Sequence, residues 1–402
     1  MLHEHKEGRI IVADPISIGI EEEYLLVNPH TRELAKHQAA GFMDRCQDLL
    51  GSRVMHEMLQ SQIEIGTGVC STIDEARAEL LELRQGVASV ARDFDLSIIA
   101  ASTHPWSLWS EQEPVDMERY RIMGVEQASI ARRMAICGMH VHAGIPDRDL
   151  RIDLMNQVSY FMPHLLALSG SSPFWEGIDT GLKSMRPTIA GHLPRSGLPE
   201  VFDNWNDWTE MVDDMTACGM INDPSRIWWD LRPSVRHPTL EIRICDVCTW
   251  VEDGLTVAAL YQSILTFLAH LRQNNQRWRQ YRRILILENK WRAQRYGVEA
   301  ELGDFGKRQA VPMSELIDEL VELVRPHAED LGCIREVENA REIVRRGSSS
   351  DQQLRVYHEA LSRGASDREA QVAVVDWLIA ESVPPAVVRR STSSKVLHPE
   401  PS

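Results

Sequence analysis

Apolar and polar residues alternate along Ser17-Ile18-Gly19-Ile20-Glu21-Glu22-Glu23-Tyr24-Leu25-Leu26-Val27, and the run predicts a β-strand. Strand side chains alternate between faces, so Glu21 and Glu23 point the same way, roughly 6.5 Å apart, and Glu22 points to the other. Asn28-Pro29-His30-Thr31 predicts a turn, with 32–36 returning as the second arm of a hairpin. Residues 60–66 alternate again, with Gln60, Gln62 and Glu64 on one face and Ile63 and Ile65 on the other. A third run, 134–144, places His140 and His142 on one face between Gly138 and Gly144, which allow close approach of a ligand or a neighbouring backbone. Residues 227–234 and 239–246 predict two strands joined by a turn at His237-Pro238. On the second, Glu241 and Arg243 share a face with Cys245, opposite Leu240, Ile242 and Ile244.

Between the strands the period changes to three and four. Thr72-Ile73-Asp74-Glu75 has the form of a capping box, followed by Ala76, Leu80, Leu83, Val87, Val90 and Phe94 along one helical face. Residues 96–101 predict a short apolar strand that ends in an ordered loop at 102–106, and 117–133 predicts a helix. Residues 150–169 predict a buried helix kinked near Pro163. Pro, Gly and Ser mark 171–187 as a long loop of the kind that often binds ligands; of its cations, Lys183 reads as solvated and Arg186 as a clamp for an anion. From 254 to 357 the chain predicts mainly helices: a core helix over 255–271, an arginine-rich surface over 277–295, and amphipathic stretches over 313–324 and 336–346. From Val383 onward, Pro, Ser and mixed charge predict a disordered tail.

At 402 residues and 45.7 kDa the chain can bury a large core, and length alone points to two or three domains. A formal charge of −16 argues against a nucleic-acid backbone or an anionic membrane as the main partner. No secretory apolar segment is visible near the N-terminus and no stretch approaches the ~18 apolar residues of a membrane span, so a cytoplasmic location is expected. Seven widely spread cysteines suit reduced structural thiols, including the lone Cys245-Asp246-Val247-Cys248 pair.

Collected on one sheet face, Glu21, Glu23, Glu64, His140 and Glu241 make an oxygen-rich set with one imidazole, which suits Mg²⁺ or Mn²⁺ better than zinc. Arg186, Arg232 and Arg243 would then meet the phosphates of a nucleotide. No Walker loop and no GxGxxG is present, so a nucleotide needs another architecture. For the 17–27 run alone, a solvated edge strand, or acids answered by nearby arginines, is the plainer reading. For the whole set the rivals are a metal-dependent hydrolase in which His140, His142 and nearby acids activate water, and a non-catalytic binding protein that keeps the fold.

Gly19-Ile20-Glu21-Glu22-Glu23, Gln62-Ile63-Glu64, Thr103-His104-Pro105, Gly138-Met139-His140-Val141-His142, Ser172-Pro173-Phe174-Trp175 with Asp179-Thr180-Gly181, and Leu240-Glu241-Ile242-Arg243 together resemble the type 2 glutamate-cysteine ligases, the YbdK-like carboxylate-amine ligases. The order holds from about residue 15 to about 360. The short motifs are also similar to those of glutamine synthetase. The resemblance implies an α+β fold, a curved, mainly antiparallel sheet with helices on its convex face, as in the glutamine synthetase catalytic domain. One ligase domain is expected over 1–380 with a helical part at 311–380; the chain after about residue 360 has no counterpart in the family, and 381–402 is expected to be a disordered tail. It implies metal ligands at Glu21, Glu23, Glu64, His140 and Glu241, catalytic roles for Glu64, Arg186 and Arg243, and substrate or phosphate contacts from Arg186, Arg232, Arg243 and His142. It further implies ATP with Mg²⁺ or Mn²⁺, a γ-glutamyl phosphate formed from L-glutamate and captured by the amine of L-cysteine or another acceptor, and a homodimer.

Overall fold

The alternating runs become strands of one sheet in the computed structural model, which describes residues 15–384. In spatial order the sheet runs Leu231–Pro233, Thr239–Ile242, Met139–Gly144, Ile18–Val27, Gln62–Gly66, Val54–His56, and Ser97–Ile99 pairs with the C-terminal end of Ile18–Val27. Every pairing in it is antiparallel. Register decides which groups meet: Glu21 lies opposite His140, Glu23 opposite Glu64, and Glu241 opposite both His142 and Arg232. Directly paired residues share a face, so these polar groups form one surface.

The other face is apolar and covered. Ile18, Ile20, Ile63, Ile65, Met139, Val141 and Leu240 are buried there. The Ile73–Asp93 and Val251–Gln273 helices pack on it, the second so closely that a Cβ on Gly254 would lie 3.3 Å from both Glu22 Oε1 and Met139 Sδ. This 23-residue helix is buried on nearly all sides. It corrects the expectation that no stretch approaches a membrane span: it is long and apolar enough, with a mean hydropathy of 1.4 over its best window, but 83% of that window is buried inside the protein.

One charged pair sits in this apolar layer. Glu22 and Arg84 are both fully buried, and Arg84 donates from Nε and Nη2 to the two Glu22 oxygens, each at 2.8 Å. Its remaining N–H groups reach the carbonyls of Thr249, Cys248 and Ser382 at 2.7, 2.7 and 3.1 Å. Arg84 thereby fastens the sheet, the 73–93 helix and the C-terminal helix to one another.

Several predicted boundaries move, each for a local reason. Thr72 caps the 73–93 helix by accepting from Glu75 N, but Glu75 reaches back to Ser71 N. Residues 32–36 give only a single bridge, Val27 with Leu34. The predicted 150–169 helix is two helices, Arg148–Val158 and Met162–Ser169, because Pro163 sits at the start of the second, where its missing N–H costs nothing. The 117–133 stretch breaks at Ala128, with φ +51°, into Glu118–Gln127 and Ser129–Arg132. Within 171–187, Phe174–Trp175 and Ile178–Asp179 pair across Glu176 and Gly177, both at positive φ as a tight hairpin turn requires. In the arginine-rich stretch only Arg283–Tyr296 is helical. The last helix, Asp367–Ser382, runs past residue 381, so the tail expectation fails at Glu381 and Ser382; residues 385–402 lie outside the described ones.

Candidate active site on the sheet

The polar face gathers the predicted acids into two adjoining groups. In the first, single ligand atoms of Glu21, His140 and Glu241 lie within 4.8 Å of one another. His140 Nδ1 is 3.1 Å from Glu21 Oε2, and His142 Nε2 is 3.4 Å from Glu21 Oε1. His142 Nδ1 meets Thr239 Oγ1 at 2.9 Å. Burial works against charge on Glu21, but hydrogen bonds from His140 and His142 win and hold its carboxyl well below the usual range. For His140, burial and then the Arg243 charge push the imidazole down to about 4, so it is neutral near pH 7 and keeps a lone pair. With Nδ1 assigned as the donor to Glu21, that lone pair is on Nε2, which is buried without a hydrogen-bond partner among the described residues and lies 3.8 Å from Glu23 Oε1.

The second group is Glu23, Glu64 and a carboxylate that the strand patterns did not single out, Glu57. Glu23 Oε2 accepts from Gly138 N at 2.6 Å. Burial and the nearby Glu57 charge raise the Glu23 carboxyl to about 8. Glu64 is pushed well up by enclosure and by the charges of Glu57, Glu21 and Glu23, and Glu57 is raised chiefly by enclosure. Acids this crowded resist ionising together unless a cation joins them. Glu57 follows the Val54–His56 strand, whose Met55 lies opposite Glu64. The one sequence signal for it is that antiparallel return, and three residues are too few to show alternation.

The arginines divide. Arg232 Nε donates to Glu241 Oε2 at 2.9 Å, and Arg243 Nη1 donates to Glu241 Oε1 while standing 3.3 Å from His140 Nδ1. Glu241 is buried, which alone would raise its pKa, but Arg243 and Arg232 hold it far below the usual carboxylate range. Arg186 N donates to Ser172 Oγ at 3.1 Å, its Nη1 donates to the Arg243 carbonyl at 3.0 Å, and its Nε has no partner among the described residues. A Cβ on Gly138 would fall 2.1 Å from Arg186 Nη2, so the glycine of the 138–142 motif is the space the guanidinium occupies. Lys183, by contrast, binds Asp351, away from this face. The strand carrying Glu241 ends at Ile242, earlier than expected; Cys245 is wholly buried.

Other motif residues hold the scaffold. Gln62 is buried and donates to the Ile136 carbonyl at 2.7 Å, fixing the approach to the 139–144 strand. Thr103 Oγ1 donates to the Phe174 carbonyl, and His104 Nε2 meets the Arg32 carbonyl at 2.8 Å. A cavity of about 140 Å³ opens beside the acids, and its lining includes the charged Glu23, Glu57, Arg186 and Arg243 together with the apolar Met123, Met134 and Trp228. Asp230, which holds Lys290 Nζ at 2.6 Å, also lines it.

The donor set fits a hard divalent cation: carboxylate oxygens, one neutral imidazole with an unpartnered nitrogen, and a local excess of negative charge. All seven cysteines are free, and only Cys218 is exposed.

Comparison with known proteins identifies the family. The family model described as Glutamate-cysteine ligase family 2 (GCS2) matches residues 17–372, so the counterpart extends beyond residue 360. A protein of Rhodospirillum rubrum that carries the provisional name glutamate-cysteine ligase 2 is 50% identical over 373 residues, which is 92% of this chain and 96% of that protein. Its similarly named relative in Jannaschia sp. is 49% identical over 363 residues, 90% of this chain and 96% of that one. Among solved structures, the glutamate-cysteine ligase of Francisella tularensis in complex with AMP has the same fold, with a TM-score of 0.66 at 14% identity over 92% of this chain and 90% of that one. A bifunctional glutathione synthetase from Pasteurella multocida matches equally well, TM-score 0.66 at 14% identity, over 91% of this chain and 52% of its own.

Proposed function

Because this ligase chain belongs to glutamate-cysteine ligase family 2, we propose that it joins a carboxylate to an amine using ATP, with L-glutamate and L-cysteine as the first substrates to test. The observation that carries the reading is the convergence of Glu21, His140 and Glu241 within 4.8 Å, beside the cross-strand pair of Glu23 and Glu64. Glu21, His140 and Glu241 would hold one Mg²⁺ or Mn²⁺, and Glu23, Glu57 and Glu64 a second. Bound there, the ions would neutralise phosphate oxygens and ease charge build-up during phosphoryl transfer.

The chain's own groups supply the rest. A carboxylate is a poor electrophile, so it first attacks the γ-phosphorus of ATP and ADP leaves. The amine nitrogen then attacks the acyl carbon, inorganic phosphate leaves, and the nitrogen gives up a proton. Arg243 and Arg232 neutralise Glu241, and with a divalent ion at Glu241 their N–H groups would be available to phosphate oxygens. Arg186, which lines the cavity, would meet a substrate carboxylate. His142, held by Thr239 and Glu21, faces the same pool of anionic groups.

The test is ADP release from purified protein with ATP and Mg²⁺, adding L-glutamate and then candidate amines, with product mass measured. ADP formation that requires glutamate and one amine, with a product at the condensed mass, supports the reading and names the acceptor. Hydrolysis of an ester or amide without nucleotide, and no ADP with any pair, overturns it in favour of the hydrolase. The family resemblance also carries a single domain over 1–380 and a cytoplasmic homodimer, the latter checked by sedimentation equilibrium and cell fractionation.

A further inference from the structure

One ion pair stands in the wall of the sheet cavity without a part in the ligase reading. Asp230, between the short strands Trp228–Trp229 and Leu231–Pro233, lines that cavity together with Arg186 and Arg243. Its carboxylate takes Lys290 Nζ at 2.6 Å, and the two side chains are only 12% and 9% exposed. Lys290 comes from the Arg283–Tyr296 helix, in the stretch whose arginines predict a surface. Arg292, two residues on, reaches solvent beside Glu288, whereas Lys290 turns inward and is buried.

The helix that carries Lys290 is itself fixed. Asn289 accepts from Gly303 N at 2.7 Å and donates to the Gly303 carbonyl at 3.0 Å. The Gln294 carbonyl accepts from Lys183 N and Ser184 N at 2.8 and 3.1 Å, in the segment that leads into Arg186. On the other side of the cavity wall, the Asp230 carbonyl accepts from Arg243 N at 2.7 Å. One helix therefore holds the main chain beside Arg186 through Gln294, and the main chain beside Arg243 through Lys290 and Asp230. The charges are also close to one another: the buried Cys245 thiol, pushed up to about 12 chiefly by burial, feels Arg186 and Asp230 with opposite sign.

We propose that Lys290 is a positioning residue: it holds the Asp230 carboxylate against the 283–296 helix and so keeps Arg186 and Arg243 for the anionic groups of the substrates. The identity of those groups rests on the ligase reading; the place of Asp230 rests on the ion pair alone. Without Lys290, Asp230 is left in the wall of a small cavity as an unpaired charge, which is costly. The guanidiniums that line the same cavity are what it can turn to, and a guanidinium meets a carboxylate bidentately. A substrate carboxylate or phosphate then has to displace it.

Steady-state kinetics and crystal structures of full-length variants test it. In Lys290→Met, at a temperature where the variant is folded, KM should rise about tenfold while kcat stays within about threefold. A rise for L-glutamate names Arg186 as the arginine taken, and a rise for Mg²⁺-ATP names Arg243. Adding Asp230→Asn to Lys290→Met removes the stray charge and should bring KM back to within about threefold of wild type. Lys290→Gln keeps hydrogen-bond donors for Asp230 without the charge; it should move KM the same way by less, and it serves where the Met variant is too unstable to purify. The crystal structure of either single variant should show Asp230 turned onto Arg186 or Arg243. A pair that only fastens the helix would lower the unfolding midpoint and leave KM alone. Unchanged KM, a raised KM that Asp230→Asn does not correct, or an Asp230 carboxylate that keeps its place would each overturn the proposal. Wild-type protein that releases no ADP would end the ligase reading alone, and the crystal structure would still decide where Asp230 goes.

Discussion

At the residue scale, charge placement separates the groups that do chemistry from those that hold shape. Glu21 is proposed for the first kind: its side chain is partly open to solvent, and its two oxygens face His140 and His142. Glu21→Gln removes the charge and keeps the shape, so turnover should fall by at least about 100-fold while the unfolding midpoint holds, measured by ADP release and thermal denaturation. Undiminished turnover in a folded variant would remove Glu21 from the site. His104, within the same set of family motifs, is of the second kind. Its Nδ1 accepts from Trp106 N and Ser107 N at 3.2 and 3.1 Å, so the ring must be neutral, and burial with the Arg368 charge lowers it from 6.5 to about 3. The unfolded chain takes up this proton below about pH 6.5 and the folded one only below about pH 3. Stability should therefore drop as pH falls through that window, by about 1.4 kcal/mol per pH unit from this histidine. Urea unfolding across the window should show that slope, reduced by one proton in His104→Gln.

At the element scale, strand alternation made the sheet legible and register completed it. The pattern of 17–27 separates Glu22 from Glu21 and Glu23, and the structure keeps that separation. What alternation cannot supply is which strand lies beside which. The shared face of Glu241 and Arg243, and the turn that brings Arg232 back beside them, are visible in the pattern. That Glu241 lies opposite His142, and that Glu57 joins Glu64, follows from a pairing of strands far apart in the chain and from a three-residue strand without internal pattern. Arg84 was equally hidden, since its neighbours Leu80, Leu83 and Val87 make its helix read as apolar on the packed face. Two outcomes follow from these contacts. Gly138→Ala puts a methyl where the Arg186 guanidinium lies; the guanidinium can swing away, so stability should change by less than about 1 kcal/mol while activity falls about tenfold or more, read from denaturation and steady-state rates. Arg84→Met leaves Glu22 buried without its cation and should cost about 3–5 kcal/mol in denaturant unfolding, with part of the loss recovered when Glu22→Gln is added.

At the scale of the whole molecule, the contacts run end to end. One buried apolar cluster extends from Ile16 through the 251–273 helix to Leu378. Gln262 donates to the Ile16 carbonyl at 2.6 Å, Ala100 N donates to Ser382 Oγ at 2.7 Å, and Arg32 pairs with Asp376 at 2.7 Å. Elements from the first and last parts of the described chain thus bury the same surface, and neither could leave without exposing the other's apolar side chains. A chain of this length commonly separates into units that unfold independently, each with its own core. Here the shared core argues for a single cooperative transition: helix content by circular dichroism and burial of the tryptophans by fluorescence should report the same urea midpoint. Two resolved midpoints, with the helices beyond residue 311 melting first, would show that the C-terminal helical part is a domain of its own resting on the sheet, and would limit the single-domain reading to the residues before it.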